Sequence, residues 1–239
     1  MRPLLLLILA ALAGSAQETW ELFCPSGIAR TEENNALKQV RALLPPGVKL
    51  EQRSIPAECR DADDARQHAH AIDAGVHSLP CLALKDELGA YAVLPLQGLC
   101  AESISQAKQQ AAAPDREATT RQRRMAAQLY FLRALWTLAH TAAEQDAVIA
   151  AYREELQRPT ADEATRQHIG FYCLYPALMQ QYAAEYAGGH SPRTEAKLLE
   201  AIAALENVRD TAPDTHTGRL AYDERERLRA ARLKSRQYE

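Results

Sequence analysis

Between residues 20 and 110, short apolar runs alternate with amphipathic stretches, and their order leaves few folds open. Trp20-Glu-Leu-Phe-Cys24 reads as a short strand. Residues 31–44 set Ala36, Leu37, Val40, Leu43 and Leu44 at helical spacing until Pro45-Pro46-Gly47 stops them. Residues 48–55 alternate apolar and polar side chains, as a half-buried strand does. A polar, alanine-rich helix over 61–74 is closed by Gly75. Two apolar strands at 79–84 and 91–96 are joined across 85–89 as a hairpin, and Gly98 opens a helix over 100–112. The sum is strand, helix, strand, helix, strand, strand, helix: an α/β sheet domain.

Ala111-Ala-Ala-Pro114-Asp115 reads as a linker, and everything beyond it is helical in pattern. Met125, Leu129, Leu132, Trp136 and Ala139 line one face of a helix. A second helix occupies 147–156 and stops at Pro159. Thr160 with Glu163 forms a capping box for a third, which carries Ile169, Phe171, Tyr172, Cys173, Tyr175, Met179, Tyr182 and Tyr186 and is kinked by Pro176. Gly188-Gly189 closes it, Ser191-Pro192 caps a fourth helix reaching Arg209, and 219–239 is a mixed-charge helix. The expected organisation is an α/β domain over 17–112 and an all-α helical domain over 116–239.

Residues 1–16 have the grammar of a secretory signal peptide: Arg2, a continuous apolar run over 4–13, then Gly14-Ser-Ala16 before the cleavage point. Retention as a membrane anchor is the competing reading. Removal of the leader implies an exported protein, periplasmic or secreted, with no membrane span afterwards. The apolar run is too short to cross a bilayer by itself. A net charge of −3 argues against nucleic acid as a partner, and 47% hydrophobic residues among 239 argue against disorder.

Three landmarks carry a resemblance. Phe23-Cys24-Pro25-Ser26-Gly27 ends the first strand, Ser78-Leu79-Pro80 opens the third, and Gln97-Gly98-Leu99 precedes the helix at 100–112. Together, over residues 20–112, they resemble the thioredoxin-like fold in its short, glutaredoxin-like form. The resemblance implies a four-stranded mixed sheet flanked by helices, with strand order two, one, three, four. It also implies a cis peptide bond at Pro80, facing a reactive Cys24, and a helix N-terminus that lowers the Cys24 pKa. Gly27 departs from the family, because it stands where C-x-x-C places the resolving cysteine.

Cys24, Cys59, Cys81, Cys100 and Cys173 are the five cysteines, and the implied topology gathers the first four on one rim of the sheet. Adjacent strands lie about 4.8 Å apart and a disulfide tolerates Cα separations up to about 7 Å. On the implied strand order, Cys24–Cys59 with Cys81–Cys100 is the pairing that joins neighbours twice. A Cys24–Cys59 bond would be either a structural staple or a redox pair in which Cys59 replaces the missing resolving thiol. Cys173, between Tyr172 and Leu174, reads as a buried free thiol or, second, as a thiol for intermolecular pairing.

Two functions follow from the resemblance. In one the protein is a thiol–disulfide oxidoreductase, with Cys24 as nucleophile, Pro80 shaping the substrate groove, and Cys59 or Cys100 resolving. In the other the domain is a redox-inactive, disulfide-stabilised scaffold that binds a protein or peptide partner. No cofactor and no metal is expected. His68 and His70 are two apart and cannot share a metal on a helix, and His77 lacks the second cysteine that a Cys/His site would need. The tyrosine stripe reads as helix core or as a recognition groove, and the basic residues of the tail as a solvated face or a partner-binding arm.

Overall fold

The computed structural model describes residues 18–159 and 161–236; the leader at 1–16, the Thr160 half of the expected capping box and residues 237–239 lie outside the described residues. The first elements are β1 (Thr19–Pro25), α1 (Arg30–Leu43), β2 (Lys49–Ile55), α2 (Ala62–Ala74), β3 (Cys81–Asp86), β4 (Gly89–Pro95) and α3 (Ala101–Gln109), the last followed by a 3₁₀ turn at Gln110–Ala112. The strands form one sheet in the order β2-β1-β3-β4. β1 pairs with β2 in parallel and with β3 antiparallel, and β4 returns antiparallel to β3. This mixed sheet with flanking helices is compatible with the thioredoxin-like fold that the landmarks suggested.

The strand period of two assigns each side chain to a face. Trp20, Leu22 and Cys24 of β1 join Leu82 and Leu84 of β3 under α1 (Ala36, Val40) and α3 (Ile104, Ala107). Phe23, Ile55, Cys81 and Ala83 face the other way, against Ala71 and Ala74 of α2. Local chemistry sets the helix ends. Asp61 caps α2 by accepting from the backbone N–H groups of Asp63 and Asp64, both at 2.9 Å. Gly75 closes the same helix in the left-handed region at φ 79°, which a residue with a Cβ enters only at a cost. The hairpin is tighter than the sequence suggests: β3 runs on through Lys85 and Asp86, which leaves Glu87 and Leu88 as the loop.

The second half is helical: α4 (Arg116–Leu138), α5 (Ala142–Gln157), α6 (Glu163–Ile169), a π-helical turn (Gly170–Leu174), α7 (Tyr175–Tyr186), α8 (Pro192–Thr211) and α9 (His216–Arg236). The chain divides into two compact units, up to Gln128 and from Leu129. The front of α4 therefore belongs to the sheet unit. Arg116 donates to the carbonyls of Gly89 and Ala111 at 3.2 and 3.0 Å, and Arg123 to that of Ala74 at 3.3 Å.

Three helix boundaries differ from expectation, each for a local reason. α5 starts five residues early because Thr141 and Glu144 form a capping box, with the Glu144 N–H donating to Thr141 Oγ1 at 3.2 Å. α6 is capped by Asp162, which accepts from the Thr165 N–H at 2.7 Å, and Glu163 is its first residue. The irregularity expected at Pro176 appears one turn earlier, as the π turn ahead of it.

Candidate functional site

The register builds one rim. β1 and β2 end side by side at Pro25 and Ile55, and the Ser26 N–H donates to the Ile55 carbonyl at 2.7 Å. β3 begins at Cys81, opposite Phe23 on one side and Pro95, the end of β4, on the other. Cys24 follows Phe23 on β1, and Pro80 precedes Cys81 where β3 begins. The Leu79–Pro80 bond is cis, and the Pro80 carbonyl accepts from the Leu96 N–H at 3.4 Å. Cys59 lies in the segment that leaves β2, and Cys100 caps α3 just beyond β4. Sequence-distant residues are thus brought to a common edge, as the topology implied.

Their chemistry separates them. Cys24 is 1% exposed and sits within β1, five residues before the N-cap of α1 at Ala29. Burial pushes its thiol up, and the carboxylate of Glu33 adds to the effect. The thiol thus shifts opposite to the direction expected from a helix N-terminus; α1 opens at Arg30 and carries Glu32 and Glu33 in its first turn. Cys81 is fully buried, and burial with the neighbouring Cys24 charge raises it to about 11. Cys59 is half-buried; desolvation and the charges of Asp64 and Asp61 push it up too, and its thiol lies 3.8 Å from the Asp61 carbonyl. Cys100 alone shifts down. It is exposed at the N-cap of α3, where the Ser103 backbone N–H and then the Ser103 hydroxyl favour its thiolate.

All five cysteines stand as free thiols, so neither Cys24–Cys59 nor Cys81–Cys100 is joined in this structure. Strand adjacency had suggested those pairs. Cys24 lies on the face under α1 and α3, while Cys59 lies beyond the end of β2 on the way into α2. Cys81 packs against α2, whereas Cys100 is exposed at the head of α3. Cys173 is buried at 3% exposure, and burial lifts its pKa to about 11.

A polar cluster escaped the sequence reading. Glu21, at 1% exposure, lies on the α2 face with His70 Nε2 at 2.9 Å, Lys85 Nζ at 3.1 Å and Arg53 Nη2 at 3.2 Å. Burial opposes its charge, but the His70 hydrogen bond and the charges of His70 and Lys85 outweigh that and hold the carboxyl at about 2. The signal was present: an acid in the middle of an otherwise apolar strand must find partners if it is to be buried.

Among the described residues no group of three or more His, Cys, Asp or Glu side chains could hold a metal ion, and no helix is long and apolar enough to cross a membrane. No protein-family model, no curated protein and no solved structure matches the chain.

Proposed function

We propose that this is an exported thioredoxin-like protein whose sheet domain has given up thiol–disulfide turnover and serves as a scaffold for a protein or peptide partner. The observation that carries the reading is the position of Cys24. A redox nucleophile needs an accessible, thiolate-prone sulfur, and Cys24 is buried under α1 and α3 with its thiol shifted up. The binding surface in this reading is the rim around it, where Ser26, Gly27, His77 and Ser78 are exposed beside Pro80. The leader grammar at 1–16 supports export.

The test uses the mature chain and a permanently unfolded probe, reduced and carboxymethylated α-lactalbumin. Saturable binding that Ser78→Trp abolishes supports the scaffold. Absence of binding, or binding that the substitution leaves alone, overturns it. Reduction of insulin disulfides by dithiothreitol should proceed no faster with the protein than without it. An acceleration lost in Cys24→Ala would restore the enzyme reading.

A second reading rests on Cys100. Its exposed thiolate could attack a partner disulfide, forming a mixed disulfide and expelling the partner's other sulfur as thiolate. In that case the insulin acceleration would survive Cys24→Ala and vanish in Cys100→Ser.

A further inference from the structure

The helical unit contains a cleft of about 340 Å³, walled by α5, α6 with its π turn, α7 and α8. Its floor is apolar, built from Leu156, Leu174, Leu178 and Val208. Two arginines, Arg153 and Arg166, line the same cleft, with Glu200 as the acid among its lining residues. Glu200 is already engaged, 3.1 Å from Arg153 Nη2 and 3.9 Å from Lys197. Among the described residues no carboxylate pairs with Arg166. Its Nη2 donates to the Arg158 carbonyl at 3.2 Å, while its Nε is shut away from solvent with no acceptor. The lining thus combines hydrocarbon with one uncompensated positive charge.

The π turn shapes this wall. Gly170 lines the cleft, and a Cβ at that position would come within 2.5 Å of Val208 Cγ2, so the absence of a side chain lets the turn lie against α8. Single π turns within helices concentrate at functional sites. The volume falls at the small end of ligand pockets, which suits one short chain or branched body and excludes a two-chain lipid.

We infer that the cleft binds a small monocarboxylate with an apolar body, its carboxylate against the Arg166 guanidinium and its hydrocarbon on the leucine floor. A guanidinium with spare donors matches a planar carboxylate in charge and in shape. The alkyl acids and the acyl amino acids both offer this chemistry. The site is independent of the rim on the sheet unit.

The experiment is calorimetric titration of the full mature chain with decanoate and, in a separate arm, N-acetylleucine. The arm that binds identifies the source. At least one acid should bind saturably at one site, while decanol and acetate, each lacking half the chemistry, bind at least about tenfold more weakly. Arg166→Gln should weaken the acid by about tenfold or more, the loss expected for a hydrogen bond to a charged group. Ala203→Trp, an exposed lining position where folding is not at stake, should block the cleft and abolish binding. Failure of both acids to saturate, equal binding of decanol, or binding unchanged in both variants would overturn the inference.

Discussion

Cys24 and Cys81 stand one register step apart on neighbouring strands, yet their side chains enter opposite faces of the sheet. Cys24 packs with Trp20 and Leu22 beneath α1 and α3, whereas Cys81 packs with Phe23 and Ala83 beneath α2. Side chains that point apart cannot be bridged without moving the backbone, however close their strands lie. The rim therefore collects cysteines without collecting a dithiol.

Labelling should follow that arrangement. With iodoacetamide on the native chain near neutral pH, Cys100 reacts first because it is exposed and its thiolate is favoured. Cys59 follows more slowly, and Cys24, Cys81 and Cys173 react only when the chain unfolds. Peptide mapping by mass spectrometry reads the order directly. Early modification of Cys24, or a Cys24–Cys81 crosslink on mild oxidation, would contradict the geometry.

The Glu21 cluster makes stability depend on acid. The folded state holds the Glu21 carboxyl at about 2, below its ordinary 4.5, so the native protein binds fewer protons there than the unfolded chain does. The stability it adds is complete above pH 4.5 and drains away as pH falls toward 2. Glu18 shifts down as well, its burial outweighed by bonds from Lys108 at 2.8 Å, Trp20 at 3.0 Å and Tyr91 at 2.7 Å, and it adds to the same trend. Urea midpoints measured across that window should decline, and Glu21→Gln should flatten the decline. His70→Ala, which removes one of three side-chain partners from a buried carboxylate, should cost about 1–3 kcal/mol at neutral pH.

Much of this was legible from local chemistry. The Gly75 stop marked the end of α2, because it acts within a single turn. The alternation in Trp20-Glu-Leu-Phe-Cys24 also contained the face of every β1 residue; what it lacked was which helix covers which face, and so the burial of Cys24 could not be read. The start of α5 was missed because alanines and polar residues after Thr141 hide the helical period, although the Thr141–Glu144 spacing was there to be seen. Beyond the irregularity expected at Pro176, the π turn could not be read, since one extra residue per turn only rotates the stripe of aromatics from Phe171 onward. The cleft depends on four helices meeting, and no local pattern encodes that.

Arg116 should prove a fixing point of the hairpin. Its guanidinium, 9% exposed, pairs with Asp86, donates to the Gly89 carbonyl at 3.2 Å, and lies 5.4 Å from the centre of the Tyr91 ring. Burial alone would raise the Asp86 pKa, but the Arg116 bond reverses the direction. Arg116→Ala removes the guanidinium bonds to that carboxylate, which keeps the Leu88 N–H at 2.9 Å, and to the Gly89 carbonyl, and should cost about 1–3 kcal/mol in thermal or urea unfolding. Arg116→Lys keeps the charge but loses the planar fork, so it should recover only part of the loss. Equal stability of all three forms would show that the guanidinium contacts contribute nothing.

The contact between Gly170 and Val208 can be tested as a pair. An alanine at 170 would push its Cβ to 2.5 Å from Val208 Cγ2, and Val208, at 3% exposure, has little room to retreat. Overpacking of this kind typically costs about 1–3 kcal/mol, so Gly170→Ala should lower the melting temperature. Val208→Ala on its own should also destabilise, by loss of buried hydrocarbon. In the double variant the clash disappears, because the offending methyl is gone, so the two losses should not add and the coupling should be favourable. Additive losses would mean that the close approach of the π turn to α8 is not what excludes a side chain at position 170.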